Sequence, residues 1–314
     1  MNNFHVSVLL KEAIDYLNVE KNNKYIDATL GGSGHSFEIL KHGGIVLGID
    51  ADSDAIKFVS RRWKIESRKW NIDEENLKIV QGNFRDIDKI ARLASTQAKR
   101  ARLNNFENVD GIIFDLGVSS YQIDTKDRGF SFQKTGPLDM RMDKNLSVKA
   151  ADLINILTKG ELYELFTKLG EEHRALAISD NIVRARRVKP IKTTEDLVSV
   201  IAQALGFEKG RISDKMKSKI ASKVFQALRI AVNDELNSLR EALPKAISLL
   251  SKNKRLVIII FHSLEDRIVK ESFKKFQKDG LGVILTKKVV IPSLSEVSQN
   301  RRARSAKMRV FERT

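Results

Sequence analysis

The sequence predicts an α/β fold, a mostly parallel sheet with helices on its faces and one helical insertion, and three observations point to it. Short apolar or β-branched runs alternate with helical stretches through residues 25–116; strand-like runs are missing from about 124 to 223; and two closing runs, 283–291 and 306–312, have no crossover helix between them. Four strands are expected first, at 25–29, 45–50, 77–80 and 111–116, with the nearly continuous apolar character of parallel strands buried on both faces. Within the insertion, 161–169 and 197–205 are amphipathic, and Thr193 followed by Asp196 makes a capping-box start for the second. Phe225, Leu228, Val232, Leu236, Leu239 and Leu243 recur at three- or four-residue steps, which predicts one long helix closing at Pro244 or a few residues later. A fifth strand at 256–261 and a short charged helix over 264–276 follow. The two last runs are expected to pair antiparallel at a sheet edge. Residues 1–123 and 224–314 thus form one α/β domain around an inserted helical domain at 124–223.

Composition narrows the function. The 314 residues are 42% hydrophobic and 31% charged, far from the signature of a disordered chain. The longest clean apolar run, 256–261, is well short of the roughly twenty residues a membrane helix needs, and no basic stretch leads an apolar one at the N-terminus. A soluble, cytoplasmic protein with no membrane partner is expected. The absence of cysteine removes disulfides, thiol nucleophiles and thiolate metal sites, and His5, His35, His42, His173 and His262 show no metal-binding spacing, so no metal is expected. Fifty-six Lys and Arg against 40 Asp and Glu leave a net charge of +16, which suits a polyanionic partner. The excess is concentrated: residues 184–223 hold eleven basic and four acidic side chains (+7) and 301–314 hold six and one (+5), whereas 1–60 carry five and eight (−3). Such stretches are either solvated helix faces or nucleic-acid contacts. If they neutralise about six phosphates, RNA binding weakens roughly a thousandfold between low and near-physiological salt.

The first strand runs into Leu30-Gly31-Gly32-Ser33-Gly34-His35-Ser36, a glycine-rich turn that opens a helix. Three glycines in four positions let the backbone pass close to a ligand. Read from Gly32, the sixth position of a dinucleotide fingerprint is Phe37, too large to seat a helix against a pyrophosphate, so a nucleoside without phosphates fits better than NAD. Asp50 ends the next strand, sixteen residues after Gly34. There a carboxylate takes the two hydroxyls of a ribose, or else serves a helix N-terminus. Phe84, after the third strand, either covers an adenine or packs in the core. Asp115 ends the fourth strand at the carboxyl edge, where open α/β sheets bind their ligands and where an acid is costly to bury without a partner.

Longer blocks make the pattern specific. Asp115-Leu116-Gly117-Val118-Ser119-Ser120, Arg128-Gly129-Phe130-Ser131-Phe132 and Gly136-Pro137-Leu138-Asp139-Met140-Arg141-Met142-Asp143 resemble the bacterial small-subunit ribosomal RNA cytosine-N4 methyltransferases, the MraW or RsmH type. Further matches are His5 with Val8-Leu9-Leu10 and Glu12, Phe225-Gln226-Ala227-Leu228-Arg229-Ile230 with Asn233 and Glu235, Phe261-His262-Ser263-Leu264-Glu265-Asp266-Arg267, and Arg302-Ala303-Arg304-Ser305-Ala306 with Arg309. They span nearly the whole chain. The resemblance implies a class I S-adenosylmethionine-dependent methyltransferase (Rossmann-like) sheet ending in an antiparallel hairpin, and an inserted all-helical domain that helps hold the substrate. It implies S-adenosylmethionine as methyl donor and, as partner, 16S ribosomal RNA within the small ribosomal subunit, methylated on N4 of a cytidine in the decoding centre. By motif, the cofactor contacts would be Ser33, Gly34, His35, Asp50, Phe84, Asp115 and Gln122. Ser33 stands where the family usually has another glycine, which implies a less demanding backbone angle there. Tyr121 and Arg301 replace family prolines, and Lys219 to Lys223 depart from its usual His-Pro-Ala-Thr-Arg.

A cytosine amine is a poor nucleophile because its lone pair is delocalised into the ring, so the protein must add positioning and proton acceptance. Asp115 is the expected catalytic residue, at or beside the oxygen that polarises the N–H. Arg128, Phe130 and Phe132, followed by Arg141, are candidates for a platform that holds an unstacked base; the phenylalanines equally suit a hydrophobic plug. His262 suits a base or RNA contact, and equally a helix start capped by Ser263 and Asp266. Arg229 and Asn233, one turn apart, suit RNA contact or a structural clasp. A nicotinamide-dependent dehydrogenase would need the dinucleotide pattern and a reason for the positive charge. A non-catalytic RNA-binding assembly factor would keep the basic stretches without needing Asp50, Asp115 and the glycine turn together.

Overall fold

The computed structural model describes residues 7–96, 106–207 and 213–314. His5, and 208–212 within the first basic stretch, lie outside the described residues. The chain divides into two compact units, one of Met1–Ser119 with Leu236–Thr314 and one of Ser120–Glu235. The domain edge expected at 223/224 therefore falls inside a helix of the second unit.

In the first unit, strands β1 (Lys24–Asp27), β2 (Ile45–Asp50), β3 (Leu77–Gln81), β4 (Val109–Asp115), β5 (Leu250–Ile260), β6 (Gly282–Ile284) and β7 (Lys307–Arg313) form one sheet in the order β3-β2-β1-β4-β5-β7-β6. The first five are parallel, and β7 runs antiparallel to both neighbours. All five expected parallel strands are present, and the closing pair is antiparallel. That pair is not a simple hairpin, however: β6 covers only three residues, and a short helix and a 3-10 turn, Leu294–Gln299 and Arg301–Ser305, precede β7. The ladder stops because the Val310 N–H is taken at 2.9 Å by the Thr286 hydroxyl, a side chain in place of a backbone carbonyl.

Helices α1 (Leu10–Leu17), α2 (Gly34–Lys41) and α3 (Ser53–Trp70) cover one sheet face. Their Ile14, Phe37, Val59 and Trp63 share a core cluster with Tyr25, Val46, Ile113, Val257 and Val310 of the strands. Side chains alternate along a strand. Phe311, next to Val310, accordingly meets Phe273 and Phe276 of α12 (Ser263–Lys278) at ring-centroid distances of 5.3 and 5.9 Å. Helices α4 (Ile87–Thr96) and α11 (Glu235–Leu249) are tied by Lys245, whose Nζ lies 3.6 Å from Asp88, and α13 is Leu294–Gln299. Among the described residues no helix is long and apolar enough to cross a membrane.

The second unit holds α5 (Ser120–Asp124), α6 (Ala150–Ile156), α7 (Lys159–Gly170), α8 (Ala175–Val188), α9 (Thr194–Ala204) and α10 (Asp214–Asn233). The Thr193–Asp196 capping box opens α9 as expected. Lys223, in the departing Lys219–Lys223 stretch, donates from Nζ to the Glu171 carbonyl at 2.7 Å and so holds the end of α7. The long helix expected through Leu243 is instead two. Asp234 adopts φ 48°, a left-handed conformation that Asp tolerates better than most residues, and ends α10. Across that break Arg229 grips Glu235 with two hydrogen bonds of 2.8 and 2.9 Å. Beyond it α11 runs through Pro244 to Leu249.

Candidate active site

Topology places the site. The chain winds outward from β1 through β2 to β3, then returns to β4 on the other side, which leaves a crevice at the carboxyl ends of β1 and β4. Three carboxylates arrive there because three apolar strands each end in an aspartate. Asp27 of β1 is level with Gly48 and Ile113, so Asp50 and Asp115 project from the flanking strands two residues further on.

Asp27 was not singled out in the sequence, where the expected strand of 25–29 puts it in the middle; the structure ends β1 at Asp27 and so gives it the same strand-end position as the other two. It is buried beneath the turn, where its Oδ2 accepts from Ser36 Oγ at 2.6 Å and its Oδ1 from the Thr29 N–H at 3.2 Å. Burial pushes its carboxyl upward; Ser36 and His35 oppose the rise and Asp115 adds to it. Asp50 braces the glycine turn: Oδ2 accepts from the Gly31 N–H at 2.7 Å and Oδ1 from the Asp52 N–H at 2.8 Å. The cap of α3 is Asp52, whose carboxylate accepts from the Asp54 N–H. Burial raises Asp50 from 3.8 to about 6; the two N–H groups oppose this, while the charges of Asp52 and Asp27 reinforce it.

The turn is held by its own residues. Ser33 has φ 65°, so the serine keeps the left-handed angle of a glycine, contrary to the milder angle its identity implied. Such an angle costs a non-glycine residue on the order of 1–2 kcal/mol. Gly34 needs to be glycine because a Cβ would stand 1.9 Å from Ser7 Oγ. Gly31, at φ 48°, faces open space: a Cβ there would meet only the Thr29 carbonyl, at 3.7 Å. His35 is buried, with Nε2 donating to the Val8 carbonyl at 3.2 Å and Nδ1 lying 3.7 Å from Asp115 Oδ2. Thr29, also unremarked in the sequence, accepts the Asp115 N–H at 2.6 Å on its hydroxyl and so fixes the end of β4 to the turn. Half-buried Phe84 sets its ring edge against Phe114, at 5.6 Å between centroids.

The remaining expected residues form a different structure. Gln122 is buried in α5 of the second unit. Arg128, only 6% exposed, donates from Nη2 to the Arg141 and Met142 carbonyls at 3.0 and 2.9 Å, with Phe130 5.9 Å from its guanidinium. Arg141 pairs both ways with Asp139 at 2.7 and 2.9 Å and caps the Lys144 and Leu146 carbonyls through Nη1. Phe130 is 8% exposed, and Phe132 packs edge-on against Phe225. Asn233 accepts the Met142 N–H and donates to the Met140 carbonyl, at 2.7 and 2.8 Å. Arg128, Phe130 and Arg141, expected as a platform for a base, make a loop clasp and a plug here, with nearby carbonyls, Asp139 and rings as their partners. His262 is itself the cap of α12: Nδ1 accepts the Glu265 N–H, and Glu265 Oε2 takes the Phe261 and His262 N–H groups at 2.8 and 3.2 Å. The capping box is thus His262 with Glu265, not Ser263 with Asp266, whose carboxylate holds Lys307 and Arg309 at 3.1 and 2.6 Å.

Three carboxylates around an open glycine turn, two of them, Asp27 and Asp50, pushed up by burial, suit a ligand that carries positive charge on a nucleoside, as S-adenosylmethionine does. Together with the strand order they define a class I S-adenosylmethionine-dependent methyltransferase. The chain belongs to the MraW methylase family, whose model matches residues 2–314. It is 42% identical over 327 aligned positions to the ribosomal RNA small subunit methyltransferase H of Halothermothrix orenii, covering 98% of both chains. To the proteins of the same name from Coprothermobacter proteolyticus and Clostridium botulinum (strain Loch Maree) it is 39% and 42% identical, covering 98% of this chain and 96% and 97% of theirs.

Proposed function

We propose that this protein methylates the N4 amine of a cytidine in the decoding centre of 16S ribosomal RNA, acting on the small subunit in the cytoplasm. The observation that carries the reading is the convergence of Asp27, Asp50 and Asp115 on one glycine turn in a chain of this family. When bound, S-adenosylmethionine supplies a methyl group on a sulfonium leaving group. Asp50 takes the ribose hydroxyls, Phe84 covers the adenine, Ser33, Gly34 and His35 shape the wall of the turn, and Gln122 is a further contact by family motif. Asp115 accepts a hydrogen bond from the cytosine amine, which holds the lone pair in line for transfer and draws the proton away as the new bond forms. With its backbone N–H held by the Thr29 hydroxyl and its carboxylate faced by His35, Asp115 needs little reorganisation to do so. The target base must leave its stack at a cost of a few kcal/mol, which favours an exposed nucleotide.

The test is titration with S-adenosylmethionine, then transfer of its labelled methyl to small-subunit particles with the product mapped to a base. Micromolar binding, about −8 kcal/mol, and label on the N4 amine of a single cytidine are expected. Absence of binding, or label on another base, overturns the reading.

A further inference from the structure

Three consecutive residues near the start of the described chain hold the cofactor turn from behind. Ser7 fills the space that a side chain at Gly34 would need. The Val8 carbonyl receives the Nε2 proton of His35, whose other ring nitrogen faces Asp115. Leu9 is fully buried, adopts φ 53°, and precedes α1 with no side-chain cap. A branched residue in that conformation persists only when its surroundings impose it, and its buried N–H needs an acceptor. The acceptor comes from 287 residues away: Glu296 Oε1, at 2.8 Å. Glu296 belongs to α13, a single short helix anchored at its start by Ser293, which accepts the Glu296 N–H at 3.1 Å.

We propose that Glu296 is a positioning residue for methyl-donor binding. By holding the Leu9 amide it fixes residues 7–9, and through them the backbone of Gly34 and the ring of His35 against Asp115. The inference rests on the function proposed above, because it concerns the same site. It predicts a specific pattern, since the bond runs from a neutral N–H to one oxygen. Glu296→Gln retains an acceptor, whereas Glu296→Ala leaves a buried donor unsatisfied.

The experiment compares wild type, Glu296→Gln and Glu296→Ala by amide hydrogen exchange of the ligand-free protein and by S-adenosylmethionine titration. In Glu296→Ala, exchange at residues 7–9 and 31–36 is expected to speed up and affinity to fall roughly tenfold, while Glu296→Gln stays within about twofold of wild type on both. Faster exchange confined to 293–299, with unchanged affinity, makes α13 a local structural element and overturns the proposal. Equal loss in Gln and Ala does the same, because a fold-wide defect would not distinguish them. If wild type itself binds no S-adenosylmethionine, the methyltransferase reading fails, while the exchange pattern still decides whether Glu296 holds the turn.

Discussion

The crevice at the carboxyl ends of β1, β2 and β4 and the loop clasp of the second unit are built from equally suggestive residues, yet physically they are opposites. In the crevice, carboxylates are crowded and buried, so that Asp27 and Asp50 are both pushed up. In the clasp, the charges are met by partners: Arg128 by two backbone carbonyls, while Arg141 holds Asp139 below the ordinary carboxylate range against its burial, and Asp139 in turn raises Arg141. Groups left in electrostatic tension are poised for a ligand, whereas satisfied groups hold the protein together.

The largest effect that tests this contrast is Asp115→Asn, which keeps the shape and removes the charge. Methyl transfer should fall by roughly a hundredfold to ten-thousandfold with little change in melting temperature; a variant that transfers at the wild-type rate removes Asp115 from the chemistry. Next comes Arg141→Ala on the other side of the comparison. Loss of its paired bonds to Asp139 and of two carbonyl caps should cost about 2–4 kcal/mol of stability, measured by denaturant unfolding, and Arg141→Lys should recover little because a lysine cannot pair both ways. Normal stability combined with lost RNA binding would return Arg141 to the substrate surface.

A smaller effect is the pH dependence of the crevice. Asp50 has a folded value of about 6 against 3.8 for the free side chain, so the folded protein binds the extra proton. Its contribution therefore favours stability as pH falls from about 6 towards 3.8 and opposes it above; Asp27 acts in the same direction. Donor binding runs the other way, since an ionised Asp50 is the better acceptor for ribose hydroxyls. Affinity should drop by roughly tenfold between pH 7 and 5, and Asp50→Asn should flatten that profile. The smallest expected change is His262→Ala, a lost helix cap worth about 1 kcal/mol. A large loss of transfer at unchanged stability would instead give His262 a part in the reaction.

The parallel strands could be read directly because burial on both faces writes itself as apolar runs, and Asp50 and Asp115 follow from those runs; Asp27 did not, because the expected strand ran on to Thr29 and placed it in the middle, whereas β1 ends at Asp27. The single long helix was misread for a reason the pattern contains no trace of. Its apolar spacing continues smoothly past 234, while the break is stabilised by Asn233 reaching Met140 and Met142, about ninety positions away. His262 was half legible: a cap was expected at that point, but a histidine is an uncommon cap, so the neighbouring serine looked the better one.

Local pattern was enough for the strand positions, the glycine turn and the kind of ligand it suits, because hydrophobic period and backbone permissiveness act over a few residues. Which arginines are satisfied, that Ser33 bears a left-handed angle and that the Leu9 amide meets Glu296 were settled only by the fold. Hydrogen-bond partners and close approaches join residues tens to hundreds of positions apart, and nothing in either stretch alone records that they meet.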